Sequence, residues 1–229
     1  INDKNYEKRE IQAYTKYQDI LQNVKVVDPA CGSGAFLVYV FDYLLAENKR
    51  VASILGSGLF SGEDYMKSIL KNNIYGVDLN EESVEITKLS LWLKSAEKNK
   101  PLTTLDANIK CGNSLISDIE IAGSKAFDWN KAFSEIISDG GFDVIVGNPP
   151  WVFSRGGNFS ESEKSYYYKN YNLANYQLNT YLLFVNLAYV LLTQAGRLGF
   201  IIPNTCLTID SFQPFREFLL NEVGDLEII

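Results

Sequence analysis

Phe142-Asp143-Val144-Ile145-Val146-Gly147-Asn148-Pro149-Pro150-Trp151 is an apolar run that ends on an amide, two prolines and an indole. A run of this kind without alternation reads as a strand buried on both faces, and a proline pair forces the chain out of the sheet. Asn148-Pro149-Pro150-Trp151 therefore caps the C-terminal end of a strand, which in an open α/β sheet is where ligands bind. Each proline confines the residue before it to extended backbone, so Asn148 is fixed and the Pro149 carbonyl has a set direction. An amide oxygen and a backbone carbonyl converging on one point make a double acceptor for an NH2 group, and a neighbouring aromatic face stacks on a planar heterocycle. The tetrapeptide thus describes a pocket for an exocyclic amine. A proline turn beside a half-buried tryptophan has the same residues, and the neighbours decide between the two.

At 229 residues and 46% apolar content the chain suits one large domain with a full core. The net charge of -7 repels phosphate, so nucleic-acid binding would rest on a local basic patch or on another segment. Cys31, Cys111 and Cys206 lie far apart, and the absence of histidine removes serine-histidine and cysteine-histidine catalysis and leaves no metal-ligand pattern. The unpaired spacing of the cysteines makes a reduced cytoplasm the expected setting, no apolar run approaches the roughly 20 residues of a membrane span, and the start has no secretory pattern. The chain begins without methionine and stops inside Leu226-Glu227-Ile228-Ile229, which resembles a strand just beginning, so a piece of a longer protein is expected.

Helical spacing of Tyr6, Ile11, Tyr14, Tyr17 and Leu21 predicts a lead-in helix over Asn2 to Asn23. A strand at Val24 to Asp28, a glycine loop, and a helix over Ala35 to Glu47 follow. Gly56-Ser57-Gly58 and Ser61-Gly62 mark a loop between Lys49 and Asp64, ahead of a short helix around Tyr65 to Lys71. The spacing then predicts a strand at Ile74 to Asp78, a helix capped by Asn80 and running from Val84 to Lys98, a weaker strand at Ala107 to Cys111, and a helix over Ala126 to Ser138. Val152 to Leu178, rich in tyrosine and poor in aliphatics, reads as a long mobile loop over the site. Thr180 to Gln194 is a strongly apolar helix, Ala195-Gly196-Arg197 a turn, Leu198 to Pro203 a fifth strand, and Ser211 the cap of a last helix through Phe215, Phe218 and Leu219. Alternating strands and helices argue for an α/β fold, a mostly parallel, doubly wound sheet with helices on both faces.

Every group with chemical potential falls just after a strand. Asp28-Pro29-Ala30-Cys31-Gly32-Ser33-Gly34-Ala35-Phe36 sets an acid at a strand end and two glycines where backbone must turn tightly near a ligand. It is neither the dinucleotide fingerprint nor a P-loop, because Leu37 stands at the third glycine position and no lysine follows. An acid ahead of a glycine loop suits a cofactor with a positive amine, although an ordinary strand-helix turn shares the pattern. Asp78 ends the second strand, where such sheets place the acid that accepts both ribose hydroxyls, and Asn113 after the third strand can hydrogen-bond an adenine edge. In order, these residues spell a nucleoside site along consecutive strand ends. Asp42, Glu47 and Lys49 imitate a nuclease triplet, but Asp42 falls within a helix and the reading is set aside.

With DPACGSGAF, YGVDLN, a G-N-S turn, NPPW and GRLGFIIPN in this order, the sequence from about Val24 to Glu222 resembles the S-adenosylmethionine-dependent N6-adenine DNA methyltransferases of restriction-modification systems, of the Eco57I-like, type I or type IIG kind. The resemblance implies a Rossmann-like methyltransferase fold, with residues 1–23 a lead-in helix and residues 24–229 the catalytic domain. It implies that Asp28, Ala30, Gly32, Gly34 and Phe36 surround the methionine part of S-adenosyl-L-methionine, that Asp78 and Leu79 lie at its ribose, and that Asn113 meets its adenine. Asn148 and the Pro149 carbonyl, followed by Pro150, would bind the target amine, with Trp151 stacked on a base flipped out of double-stranded DNA. The family commonly has Asp at the position of Asn113, its N-terminal threonine-proline element is not recognisable before Val24, and a target-recognition domain and any nuclease are expected outside these residues. Arg155, Lys164 and Lys169 among tyrosines suit contact with the target strand, against which stand Glu161 and Glu163. A protein glutamine N5-methyltransferase, or a cofactor-binding subunit without independent catalysis, remains open on the same residues.

Overall fold

The computed structural model describes residues 3–56, 62–95, 104–154, 157–175 and 178–228. Helix α1 (Asp3–Asn23) leads into β1 (Val26–Asp28), and α2 (Ala35–Leu55) follows the glycine loop. Helix α2 outlasts the stretch expected to end at Glu47, because Leu44, Asn48 and Val51 keep a buried stripe going until Gly56, in left-handed backbone with φ 63°, stops it. The loop expected from Lys49 onward is shortened accordingly, and its Ser57, Gly58 and Ser61 lie outside the described residues. Helix α3 (Gly62–Asn72), β2 (Ile74–Asp78), α4 (Glu81–Ser95) and β3 (Ile109–Cys111) come next. The Asn80 side chain accepts from the Glu82 and Ser83 amides at 2.8 and 3.3 Å, the expected cap.

Beyond β3 come α5 (Ile119–Ala122), α6 (Trp129–Ala132), α7 (Ser134–Ser138) and β4 (Phe142–Gly147). The single helix expected over Ala126 to Ser138 is thus broken, at Phe133 with φ -129° and ψ 45°. Tertiary packing overrides propensity there, since the Phe133 ring meets Tyr75, Trp129 and Phe142 at centroid distances of 5.6, 5.6 and 5.7 Å. The loop expected over Val152 to Leu178 instead contains α8 (Glu161–Asn170) and a 3₁₀ turn over Asn172–Asn175. A capping box starts α8, the Ser160 hydroxyl accepting from the Glu163 amide while the Glu163 carboxylate accepts from the Ser160 amide. Its apolar side is built from tyrosines, which a search for aliphatics passes over.

Helix α9 (Thr180–Leu191) runs straight into β5 (Leu192–Phe200), followed by α10 (Thr205–Thr208) and α11 (Gln213–Glu222). The turn expected at Ala195-Gly196-Arg197 is absorbed into the strand: Phe142 pairs with Leu192 and Val144 with Arg197, so the intervening residues bulge opposite Asp143. Ser211 sits in a 3₁₀ turn, and Phe212 holds the cap position of α11 with Pro214 in its first turn. Residues 226–228 form no strand.

The strands make one parallel sheet in the order β3-β2-β1-β4-β5. Residues alternate between its faces, so Tyr75 and Val77 join Val27 and Ile145 in a core under α6, α7 and α9, which Phe142 also reaches because the bulge between it and Val144 resets the alternation, while Ile74 and Ile109 join Leu37, Phe41, Leu44 and Leu91 in a core under α1 to α4. Helix α9 is apolar on every side from Thr180 to Ala188 because that stretch is buried on every side, with Leu183 and Leu187 in the first core and Tyr181, Leu182 and Val185 in a third cluster with Phe212 and Phe215, and only near its end are Tyr189 and Val190 exposed. The doubly wound, Rossmann-like expectation is met. No helix among the described residues is long and apolar enough to cross a membrane. Strand order reverses between β1 and β4, and at such a switch point the loops after both strands diverge and leave a crevice.

Candidate active site

The loop after β1 is tied to the second strand unit. The Cys31 amide donates to the Val77 carbonyl (3.0 Å), the Gly32 amide to Asp78 Oδ2 (2.8 Å), and Thr87 Oγ1 to the Gly32 carbonyl (2.8 Å). Gly34 caps α2 in left-handed backbone with φ 84°, where a Cβ would lie 2.8 Å from Thr87 Cγ2, so both conformation and space require glycine. Asp78 Oδ1 accepts from the Asn80 amide (2.9 Å), which leaves each Asp78 oxygen one further lone pair. Ser114 Oγ, from the turn after β3, donates to the Pro29 carbonyl at 2.6 Å. Leu79 is exposed, and Ala30 and Phe36 are half-buried around the same loop.

Asp28 is 1% exposed, and its Oδ1 accepts from the Ala30 amide at 3.0 Å. Burial pushes its carboxyl up to about 7; the Ala30 hydrogen bond opposes this and the charge of Asp78 adds to it. A Cβ on Gly147 would come within 2.7 Å of Asp28 Oδ1, so the acid of the glycine loop and the residue directly before Asn148 are in contact. The two motifs, far apart in sequence, thus meet across the β1–β4 switch point.

At the end of β4, Asn148 and Trp151 are exposed and Pro149 is buried. The segment after the prolines lies antiparallel to the chain entering α9: Phe153 bridges Asn179, and the Ser154 amide donates to the Leu178 carbonyl at 3.1 Å. The Asn113 carboxamide accepts from the Leu115 amide at 3.0 Å, so part of its acceptor capacity is already used within its own turn. Helix α8 reaches over this turn. The Tyr166 hydroxyl accepts from the Ser117 amide (3.1 Å), the Tyr171 hydroxyl donates to the Leu115 carbonyl (2.7 Å), and the buried Tyr167 hydroxyl sits beside the Asn113 side chain.

Sequence reasoning passed over Thr87, Ser114, Thr180 and the tyrosines of α8. Thr87 and Thr180 carried a signal, a hydroxyl among apolar neighbours on a buried helix stripe, whereas the α8 contacts depend on long-range docking. Lys164 pairs with Glu161 at 2.7 Å within α8, and Arg155 lies outside the described residues. Asp42 pairs with Lys94 and Glu47 with Arg50, both at 2.6 Å, as surface ion pairs of α2.

Residues 72–229, well over half of the chain, match the model of the Eco57I restriction-modification methylase. The chain belongs to this family. The Eco57I family assignment agrees with 31% identity over 217 residues to the Escherichia coli type II restriction enzyme and methyltransferase RM.Eco57I, covering 86% of this chain and 21% of that protein. DNA methyltransferase A of Bacillus subtilis is 29% identical over 153 residues, covering 62% of this chain and 16% of its own length. The chain therefore spans about a fifth or less of these curated relatives. Among solved structures, the type IIL restriction-modification enzyme MmeI in complex with DNA shares the fold with a TM-score of 0.64 at 19% identity, over 93% of this chain and 29% of MmeI. The modification protein of the type I restriction enzyme EcoKI gives 0.52 at 19% identity, over 86% of this chain and 33% of that one.

Proposed function

We propose that this chain is the catalytic domain, over residues 24–229, of an adenine-specific DNA methyltransferase that modifies the N6 amine of a base flipped out of DNA in a restriction-modification system. The observation that carries the reading is the contact between Asp28 of the glycine loop and Gly147 before Asn148, which unites a cofactor-type loop and an amine-type pocket at one switch point. S-adenosyl-L-methionine fits the residues present: a buried acid faces the loop, the loop itself is held open by glycines, and Asp78 keeps free lone pairs for two hydroxyls. Asp28, Ala30, Gly32, Gly34 and Phe36 would hold its methionine part, Asp78 and Leu79 its ribose, and Asn113 its adenine. When bound, it supplies an electrophilic methyl group on a sulfonium.

The protein's part is alignment and polarisation. An adenine amine is a poor nucleophile because its lone pair is delocalised into the ring. Asn148 Oδ1 and the Pro149 carbonyl, accepting its two hydrogens, draw the nitrogen toward tetrahedral geometry and raise its electron density. Trp151 stacks on the extruded base and offsets roughly 1–3 kcal/mol of the unstacking cost. With a net charge of -7, duplex recognition is assigned to another segment or subunit, and the nuclease of the system to a fused or associated partner, as the name of RM.Eco57I joins restriction enzyme and methyltransferase.

The test is mass spectrometry of nucleosides from DNA treated with the full-length protein and S-adenosylmethionine. N6-methyladenine formed by the wild type, and reduced about 10²–10³-fold by Asn148→Ala, is the expected result. Methyl incorporation into protein glutamine, or none into adenine, overturns the reading.

A further inference from the structure

The Asn148-Pro149-Pro150-Trp151 segment has a mechanical problem. Two consecutive prolines carry no N–H, so the chain cannot be tied down there by its own donors and must be held through carbonyls and through the amides that follow. The solution visible in the fold is one side chain. Thr180, the first residue of α9 and 7% exposed, donates its hydroxyl to the Pro150 carbonyl and accepts with the same oxygen from the Val152 amide at 2.9 Å. Its own amide donates to the Val152 carbonyl at 3.0 Å. The two peptide groups that flank Trp151 are therefore gripped by a single residue, while the indole between them stays 49% exposed.

We infer that Thr180 is a positioning residue for the target-base pocket, fixing the frame from which the Pro149 carbonyl and the Trp151 ring project. This rests on the function proposed above. The anchor is stiff because α9 is buried between two apolar clusters and its first turn is capped by Asn179, whose side chain accepts from the Tyr181 amide at 3.3 Å. A hydroxyl suits the position because it donates once and accepts at the same atom. Valine, of nearly the same shape, can do neither.

The experiment compares wild type, Thr180→Val and Thr180→Ser in the full-length protein by steady-state methylation, cofactor titration and fluorine NMR with fluorotryptophan. Thr180→Val should lower kcat about 10–100-fold, the scale of a misplacement of about 1 Å, with cofactor affinity unchanged within about twofold, and Thr180→Ser should recover most of the loss. The Trp151 resonance, identified by its disappearance in Trp151→Phe, should shift and broaden in Thr180→Val while those of Trp92 and Trp129 stay in place. A valine variant with normal kcat and an unmoved Trp151 signal overturns the inference, as does a loss of cofactor binding together with displacement of the Trp92 and Trp129 signals. If the wild type methylates no adenine, the functional reading fails, and the NMR comparison still decides whether Thr180 holds Trp151.

Discussion

A methyl group at position 147 has nowhere to go, since 2.7 Å separates its site from Asp28 Oδ1. Gly147→Ala must displace either the acid or the backbone entering Asn148, so under the proposed function it should weaken cofactor binding and methyl transfer together, by about tenfold or more each. Trp151→Ala, by contrast, removes an exposed ring beyond the loop contacts, and should lower activity while calorimetric affinity for S-adenosylmethionine holds within about threefold. Asp28 also makes a pH prediction. Its folded carboxyl titrates near 7 against an ordinary 3.8, so the native state binds the proton more tightly than the unfolded chain does. Stability should therefore fall as pH rises from about 4 to about 7, by up to about 4 kcal/mol, and Asp28→Asn should flatten that slope in urea titrations. A slope that survives the substitution would assign the proton elsewhere.

At the scale of elements, legibility followed the period of the apolar pattern. β2 and β4 coincide with their expected spans, Ile74 to Asp78 and Phe142 to Gly147, because buried parallel strands are written as unbroken apolar runs with Gly or Asp at their ends. β5 is not legible as one strand because its bulge looks locally like a turn, and only the register against Phe142 and Val144 joins its two parts. α8 hides from an aliphatic pattern although Ser160 and Glu163 spell a capping box, since the stripe behind it is tyrosine rather than leucine. That cap predicts a local effect: Ser160→Ala should cost about 1 kcal/mol and accelerate hydrogen exchange in the first turn of α8, leaving amides of α9 unchanged. Of the candidate site, the strand-end residues were readable one by one. The braces, Thr87, Ser114, Thr180 and Tyr167, were not, because each acts on a segment distant in sequence.

For the molecule as a whole, α9 contributes to both the first core and the third cluster, with Leu183 fully buried at 0% exposure. Leu183→Ala should cost about 2–5 kcal/mol in denaturant midpoint analysis, and because Thr180 begins the same helix, activity should fall at denaturant concentrations below the global transition. Preserved activity up to the midpoint would show that the helix start is held independently. The pairing of β1 with β4 has a further consequence. The Lys25 amide donates to Asp143 Oδ2 across 118 residues of sequence, so the strand that carries the glycine loop and the strand that completes the crevice leave the ribosome far apart in time. At synthesis rates of about 5–20 residues per second the interval is roughly 6–24 s. Until β4 follows, β1 has one flank bare even once β2 has been made and has paired with the other, an open edge of the sort that captures foreign strands. The switch point that builds the crevice is thus also a seam of the nascent chain, closed only when β4 arrives.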